Sequence, residues 1–122
     1  ICNLFIPKGK KVVDTKGKVE DSNMTYETLN APVDLDIPVA VIINRGSASA
    51  SEIVAGTLQD YDRAVIIGER SYGKGLVQVP RPLSYNSQVK ITTAKYYTPT
   101  GRCIQVLDYT HRREDGSVAS IP

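Results

Sequence analysis

The fold of this chain is decided by Val39-Ala40-Val41-Ile42-Ile43, a continuous and mostly β-branched apolar run. Such a run is typical of a strand buried on both faces of a parallel sheet. Beyond it, the large apolar residues Ile53, Val54 and Leu58 recur at helical spacing, and Arg63 to Gly68 repeats the buried-strand pattern. The order strand, helix, strand predicts a right-handed parallel crossover, and therefore an α/β fold.

The segments on either side of this unit are less regular. Ile1 to Ile6 reads as the last turn of a helix, and Lys11 to Asp14 as a short strand. Gly17 to Asp36 is polar and aperiodic, which predicts a loop excursion with at most one irregular strand. The apolar spacing between Leu76 and Tyr96, interrupted by a turn region at Pro80 to Ser87, predicts a β-hairpin.

Composition limits the classes of function. The chain has 122 residues, 41% hydrophobic and 23% charged, as expected for one soluble globular domain. A net charge of +2 with scattered Lys and Arg residues gives no reason to expect nucleic acid as a partner. The short apolar start without an initiator Met indicates a segment of a longer protein rather than a signal or membrane span. Cys2 and Cys103 match neither a redox nor a zinc spacing, so free thiols and a bridge both remain open.

Ser49 lies where the first strand of the unit turns into the helix. Free backbone N–H groups and the helix dipole at that point favour negative charge developing on a substrate oxygen, as in acyl transfer. The spacing of Ser49 and Glu52 also matches a capping box, in which the serine only caps the helix. Ser47 and Ser51 are competing candidates that the spacing does not separate from Ser49.

A serine nucleophile needs a base to take its proton, and the candidate base is Lys74. The single histidine, His111, lies in a polar stretch beside two arginines, which is unsuited to a Ser-His-Asp triad. Lys74 follows the second parallel strand, so its side chain and that of Ser49 should emerge at the same carboxyl edge of the sheet. A lysine base requires an apolar surround that disfavours its charged form. In an extended segment the amide of Gln78 shares a face with Lys74 and would orient it.

A phosphate-binding loop is a second interpretation of the lysine. The stretch from Gly68 to Gly75 nearly matches G-x-x-x-x-G-K-[ST] and follows a strand. However, Gly75 replaces the hydroxyl residue that would hold magnesium, and a β-like sequence follows in place of a helix. A nucleotide site is therefore the weaker alternative.

The ordered motifs resemble those of the C-terminal processing (tail-specific) peptidases. They are Gly46 to Glu52, Gly68-Glu69, Gly73-Lys74-Gly75, Gln78 and Thr93 to Gly101, with Leu4 to Gly9 as an earlier match. The resemblance covers most of Pro38 to Gln105. It places Ser49 on the nucleophile, Lys74 on the general base and Gln78 on the residue that orients the base. It also implies that the amide of Ala50 is one of two oxyanion donors.

The resemblance implies a Clp-protease/crotonase-like α/β core, in which residues 1–122 are the C-terminal part and about 113–122 a polar tail. It implies a serine endopeptidase with a Ser-Lys dyad that cleaves proteins near their C-termini without a metal or cofactor. It further implies a PDZ domain that captures the substrate, an upstream oxyanion loop, both outside these residues, and a place in the bacterial cell envelope or periplasm. A crotonase-like domain used only for binding is the alternative class, because a fold does not fix a function.

Asp60 aligns with an acidic position of that family. Eleven helical residues separate it from Ser49, which corresponds to roughly 16 Å of rise and is too far for a direct triad contact. We therefore interpret Asp60 as a helix-end group that bonds to the following turn. Tyr96, Tyr97 and Thr98 are candidates for the substrate groove, but packing is the favoured interpretation of such residues at a strand end.

Overall fold

The computed structural model describes residues 1–19, 23–109 and 113–120. The described residues form a short 3₁₀ turn over Cys2–Leu4, one α-helix and eight strands. The helix, α1, spans Ala50–Asp60, and the strands are β1 (Lys11–Lys16), β2 (Met24–Glu27), β3 (Val39–Ile43), β4 (Ala64–Gly68), β5 (Leu76–Pro82), β6 (Gln88–Tyr97), β7 (Leu107–Asp108) and β8 (Ala119–Ser120).

Within the described residues, the strands form three sheets, and together with α1 they make a mixed α/β fold. Four antiparallel strands lie in the order β2-β1-β6-β5. β3 and β4 pair in parallel, from Val39 opposite Ala64 to Ile43 opposite Gly68, and α1 connects them. The predicted βαβ unit is therefore confirmed. β7 and β8 form a third pairing that the sequence did not predict.

The hydrophobic core lies between α1, β3 and the N-terminal turn. Ile6 is 1% exposed and Leu58 2%, because the apolar stripe of α1 faces the residues before β1. The other core members are Cys2, Phe5, Val12, Val41, Val54, Tyr61 and Ala64. The helix is also tied to β1, since the Thr57 hydroxyl donates to the Val12 carbonyl at 2.8 Å.

The outer face of the β3–β4 sheet is exposed. Ile42 is 80% exposed, Val65 64% and Ile67 51%, and the burial of both strands alternates along the chain. The prediction that this strand is buried on both faces is therefore wrong for these residues. An apolar run shows what a strand is able to bury, whereas only the surrounding layers decide which faces are covered.

The flanking predictions differ in detail from the structure. The N-terminal segment forms a 3₁₀ turn over Cys2–Leu4, where the last turn of a helix was predicted, and β1 continues to Lys16, two residues beyond the predicted strand. β2 is the irregular strand of the excursion, and β5 and β6 form the predicted hairpin. The stretch 113–116, at the start of the expected polar tail, is exposed, whereas His111 lies outside the described residues. In the described part of the chain, no helix has the length and apolar character that a membrane crossing requires.

Candidate active site

Polar groups of the chain itself build the turn between β3 and α1. The Asn44 side-chain oxygen accepts the N–H of Gly46 at 2.8 Å, and the Asn44 carbonyl accepts the N–H of Ser47 at 3.0 Å. In return, the Ser47 hydroxyl accepts the N–H of Asn44 at 3.1 Å. Ser47 is therefore occupied in shaping the turn, and Ser51 lies exposed in the first turn of α1. The structure thus separates both from Ser49.

Ser49 has a backbone conformation that serine rarely adopts. Its φ is 56° and its ψ is −116°, which lies outside the left-handed helical region that polar residues tolerate. A non-glycine residue held in such a conformation costs about 1–3 kcal/mol and persists where the surroundings fix it, often at active sites. A strained strand-to-helix turn is also how α/β hydrolases expose their nucleophilic serine. The backbone therefore favours Ser49 as the candidate nucleophile.

The carboxylate of Glu52 joins the start of α1 to the loop that carries Lys74. Its Oε2 accepts the N–H of Ser49 and the N–H of Lys74, each at 2.9 Å. Its Oε1 accepts the N–H of Gly73 at 2.6 Å and the hydroxyl of Ser71 at 2.7 Å. Since the two backbone nitrogens of Ser49 and Lys74 each lie 2.9 Å from one oxygen, they are no further apart than twice that distance.

Glu52 is 6% exposed, and every group that bonds to its carboxylate is neutral. Among the ion pairs of the described residues, none involves Glu52. Hydrogen bonds to an ionised carboxylate are strong, and the positive end of the helix dipole also favours a negative charge there. The sequence identified Glu52 only as the capping partner of Ser49, a role that the structure confirms.

Residues 104–106 also pack closely against the loop 73–75. A Cβ added to Gly73 would lie 2.5 Å from the Cβ of Val106, and one added to Gly75 would lie 2.6 Å from the backbone nitrogen of Gln105. Gly73 has a φ of +89°, which disfavours any other residue. The two glycines are therefore required by close packing. Because the amides of Gly73 and Lys74 donate to Glu52, they do not form the phosphate cradle of the nucleotide-binding alternative.

The other groups predicted for the site are the side chains of Lys74 and Gln78 and the backbone N–H of Ala50. The Lys74 side chain is exposed within the described residues. The Gln78 amide donates to the Thr92 hydroxyl at 3.3 Å, and a β-bulge between Val77 and Gln78 interrupts the strand register. The role of Gln78 in orienting Lys74 stays a prediction. The N–H of Ala50 has no acceptor among the described residues, as an oxyanion donor requires.

Asp60, at the other end of α1, holds the turn after β6. Its carboxylate accepts the N–H of Thr100 at 3.0 Å and the Thr100 hydroxyl at 2.7 Å, and it pairs with Arg102. Burial alone would raise the pKa of Asp60, but hydrogen bonds from Thr98, Thr100 and Arg102 outweigh it and lower the pKa. The helix-end interpretation holds. The predicted partner was wrong, because the carboxylate bonds to a segment that is distant in sequence and not to the turn that follows the helix.

The three residues considered for the substrate groove, Tyr96, Tyr97 and Thr98, are wholly or partly buried. Thr98 is 4% exposed, Tyr96 and Tyr97 are half-buried, and the Lys16 ammonium lies 5.2 Å from the Tyr97 ring. These contacts favour packing over a free groove surface. In the described ranges, no group of three His, Cys, Asp or Glu side chains is placed to hold a metal ion. Cys2 and Cys103 are both free thiols.

Known proteases share this fold. The photosystem II D1 C-terminal processing protease superposes with a TM-score of 0.76 at 36% identity, over 85% of this chain and 26% of that protein. A carboxy-terminal-processing protease of Bartonella bacilliformis is 46% identical over 110 residues, which is 90% of this chain and 25% of the relative. A probable CtpA-like serine protease of Staphylococcus aureus is 42% identical over 106 residues, or 85% of this chain and 21% of the relative.

The family follows from the sequence match as a whole. The profile of peptidase family S41 matches residues 1–110, and the chain belongs to that family. The chain spans about a quarter of the length of the curated relatives that it matches.

Proposed function

We propose that this chain carries the catalytic dyad of a serine endopeptidase that cleaves proteins near their C-termini. Ser49 is the nucleophile and Lys74 the general base. The observation that carries the proposal is the Glu52 carboxylate, because a single oxygen accepts the backbone N–H groups of both residues at 2.9 Å. Two chain segments that are separate in sequence are thereby fixed against each other at their candidate reacting residues.

The bonds that form and break in the reaction involve the Ser49 hydroxyl, the Lys74 amine and one water molecule. The Ser49 hydroxyl oxygen attacks the scissile carbonyl carbon, and its proton passes to the uncharged Lys74 amine. The resulting ammonium protonates the leaving amine as the peptide bond breaks, which leaves an acyl ester on Ser49. Lys74 then removes a proton from water, which attacks the ester, and returns that proton to the Ser49 oxygen as it departs.

The start of α1 suits the charge that forms on the substrate oxygen. The unpaired N–H of Ala50 and the helix dipole both favour an oxyanion at this end of the helix. We assign the second donor to an upstream loop outside these residues. Because the Lys74 side chain is exposed here, we also assign the exclusion of water from its amine to other parts of the full-length protein or to bound substrate.

The wider setting of the proposal rests on the family resemblance. Protein substrates are bound by their C-terminal region, with a PDZ domain elsewhere in the full-length protein. The location is the bacterial cell envelope or periplasm. A PDZ domain captures a chain end by adding it as a strand, which would deliver the C-terminal region of a substrate to the serine.

The direct test is substitution in the full-length protein. Ser49→Ala and Lys74→Ala should each reduce peptide cleavage at least about 10³-fold, and the double variant should be little worse, because the two groups act as a unit. Ser51→Ala and Lys90→Ala are matched controls, since they change the same residue types at exposed positions. Both controls should cleave normally.

A serine-directed fluorophosphonate probe distinguishes the peptidase from the binding-only alternative. The proposal requires covalent labelling that Ser49→Ala abolishes and Ser51→Ala does not. Absence of labelling in a folded full-length protein would favour a crotonase-like binding domain. Strong residual cleavage by Lys74→Ala would show that another group is the base.

A further inference from the structure

We propose that Gln105 is a positioning residue for Lys74. The inference rests on the proposed Ser-Lys mechanism and assigns Gln105 a task that the mechanism leaves open. Glu52 fixes the backbone on the N-terminal side of the lysine through the amides of Gly73 and Lys74. The next amide, that of Gly75, donates to the Gln105 side-chain oxygen at 2.9 Å. All three amides of the Gly-Lys-Gly loop are thus held by two buried side chains.

The orientation of the Gln105 amide is fixed by its own partners. Gln105 is 6% exposed, and its nitrogen donates to the Leu107 carbonyl at 3.2 Å. A side-chain NH₂ group cannot accept a hydrogen bond, so the oxygen must face the Gly75 N–H and the nitrogen must face Leu107. The side chain therefore links the lysine loop to β7 with one defined geometry.

The surrounding backbone reinforces this link. The Val106 N–H donates to the Gly73 carbonyl at 3.0 Å, and the Tyr96 N–H donates to the Gly75 carbonyl at 2.8 Å. The carbonyls on both sides of Lys74 are thus engaged, as well as the amides. Apart from Glu52, Gln105 is the only side chain among the described residues that bonds to the backbone of the loop 73–75.

The consequence concerns the lysine amine and not substrate affinity. Without the bond from the Gly75 N–H to Gln105, the backbone directly after Lys74 is less well fixed, and so is the path of the lysine side chain towards Ser49. A misplaced base slows proton transfer in the transition state while ground-state binding is retained. Loss of Gln105 should therefore lower kcat and leave KM nearly unchanged.

The test compares two Gln105 variants in the full-length protein with a fluorogenic peptide. Gln105→Leu should lower kcat by about 10- to 100-fold, a part of the contribution expected of a general base, with KM within about twofold. Gln105→Glu keeps an oxygen for the Gly75 N–H but loses the donor to the Leu107 carbonyl, so its kcat should lie between those of the unaltered protein and the leucine variant. Gln88→Leu, which changes an exposed glutamine, should have no effect.

Two further variants separate positioning from stability and from the proposed function. Thr57→Val removes a buried hydrogen bond to Val12 that does not involve the loop, and it serves as a stability control. The inference is overturned if Gln105→Leu keeps kcat within about twofold, or if its loss matches that of Thr57→Val at equal destabilisation. If Gln105→Leu does not fold, Gln105→Met takes its place in the same comparison, because methionine is similar in length to glutamine and also lacks the oxygen that accepts the Gly75 N–H. Full cleavage by Ser49→Ala would overturn the proposed function as well, whereas an inactive Ser49→Ala beside a fully active Gln105→Leu would overturn only the role of Gln105.

Discussion

The two ends of α1 each carry a carboxylate that holds a segment distant in sequence, but their charges are compensated differently. At the N-terminal end, Glu52 accepts hydrogen bonds from three backbone N–H groups and one hydroxyl. At the C-terminal end, the Asp60 side chain is 4% exposed and is bonded by Thr100 and by the guanidinium of Arg102. Only the second carboxylate has a cationic partner among the described residues.

The helix dipole explains the difference. Its positive end lies beside Glu52 and favours a negative charge, so neutral donors suffice there. Its negative end lies beside Asp60 and opposes a negative charge, so a cation is needed as well. One helix therefore has two tasks: its first turn aligns the candidate reacting residues, and its last turn holds the chain after β6.

Of the changes to the two carboxylates of α1, Glu52→Gln should have the larger effect in the full-length protein. In the glutamine variant, an NH₂ group replaces one of the two oxygens, each of which now accepts two hydrogen bonds. Because an NH₂ group donates and does not accept, those two bonds would be lost and their donors would face another donor. We expect kcat to fall at least about 100-fold and the free energy of unfolding to fall by about 2–4 kcal/mol. Peptide cleavage and urea unfolding measure the two effects.

The matched control for this change is Glu69→Gln, which alters an exposed glutamate paired with Arg45 at 3.2 Å. Its stability should change by no more than about 0.5 kcal/mol. If Glu52→Gln behaved like Glu69→Gln, the N-terminal end of α1 would have no special role.

Asp60→Asn should have the second largest effect. Asparagine loses the charge that pairs with Arg102 and one of its two acceptor oxygens, and the free energy of unfolding should fall by about 1–3 kcal/mol. We expect kcat to fall less than in Glu52→Gln, because Asp60 reaches the lysine loop only through residues 98–106. Asp62→Asn is the control, since Asp62 is exposed and its φ of 52° suits asparagine. A greater loss of kcat for Asp60→Asn than for Glu52→Gln would reverse the division of tasks.

The decrease of folding stability at acid pH should depend on Asp60 and Arg102. Because the folded pKa of Asp60 lies below its ordinary value of 3.8, the group stabilises the fold above that value. This stabilisation is lost as the pH falls through the folded pKa. Removal of the cation in Arg102→Met should raise that pKa and shift acid unfolding to higher pH, which circular dichroism would follow. If the midpoint of acid unfolding were unchanged, Asp60 would not need a cationic partner at this end of the helix.

The smallest expected effects come from a pair of single hydroxyl deletions. Ser71→Ala removes one donor to Glu52, and Thr100→Val removes one donor to Asp60. Each should lower the free energy of unfolding by about 1 kcal/mol, the usual net value of one hydrogen bond. Only Ser71→Ala should also lower kcat, by a few-fold. Equal kcat values for the two variants would show that neither end is specific to catalysis.

The sequence predicted those parts of the fold that depend on neighbouring residues. The βαβ unit followed from apolar periodicity and the hairpin from its turn signals, since these patterns are local. The capping role of Glu52 was also visible, because Ser49 lies three residues before it. The two-residue strands β7 and β8 carry no periodic signal and were missed.

The remaining features depend on contacts that no local pattern records. Three of the four donors to Glu52 lie on the loop 71–74, after the next strand, so the capping-box spacing could not reveal them. Gln105 was missed because a lone glutamine in an irregular segment gives no signal. The bulge beside Gln78 interrupts the two-residue alternation on which its predicted contact with Lys74 relied.

The unusual φ of Ser49 has a consequence for anyone who prepares an inactive form of the protein. Glycine accepts positive φ without penalty, whereas alanine would inherit the same torsional cost as serine. Ser49→Gly should therefore melt at a higher temperature than Ser49→Ala although both lack the hydroxyl. The serine hydroxyl at position 49 would then be accompanied by a lower stability than glycine would give.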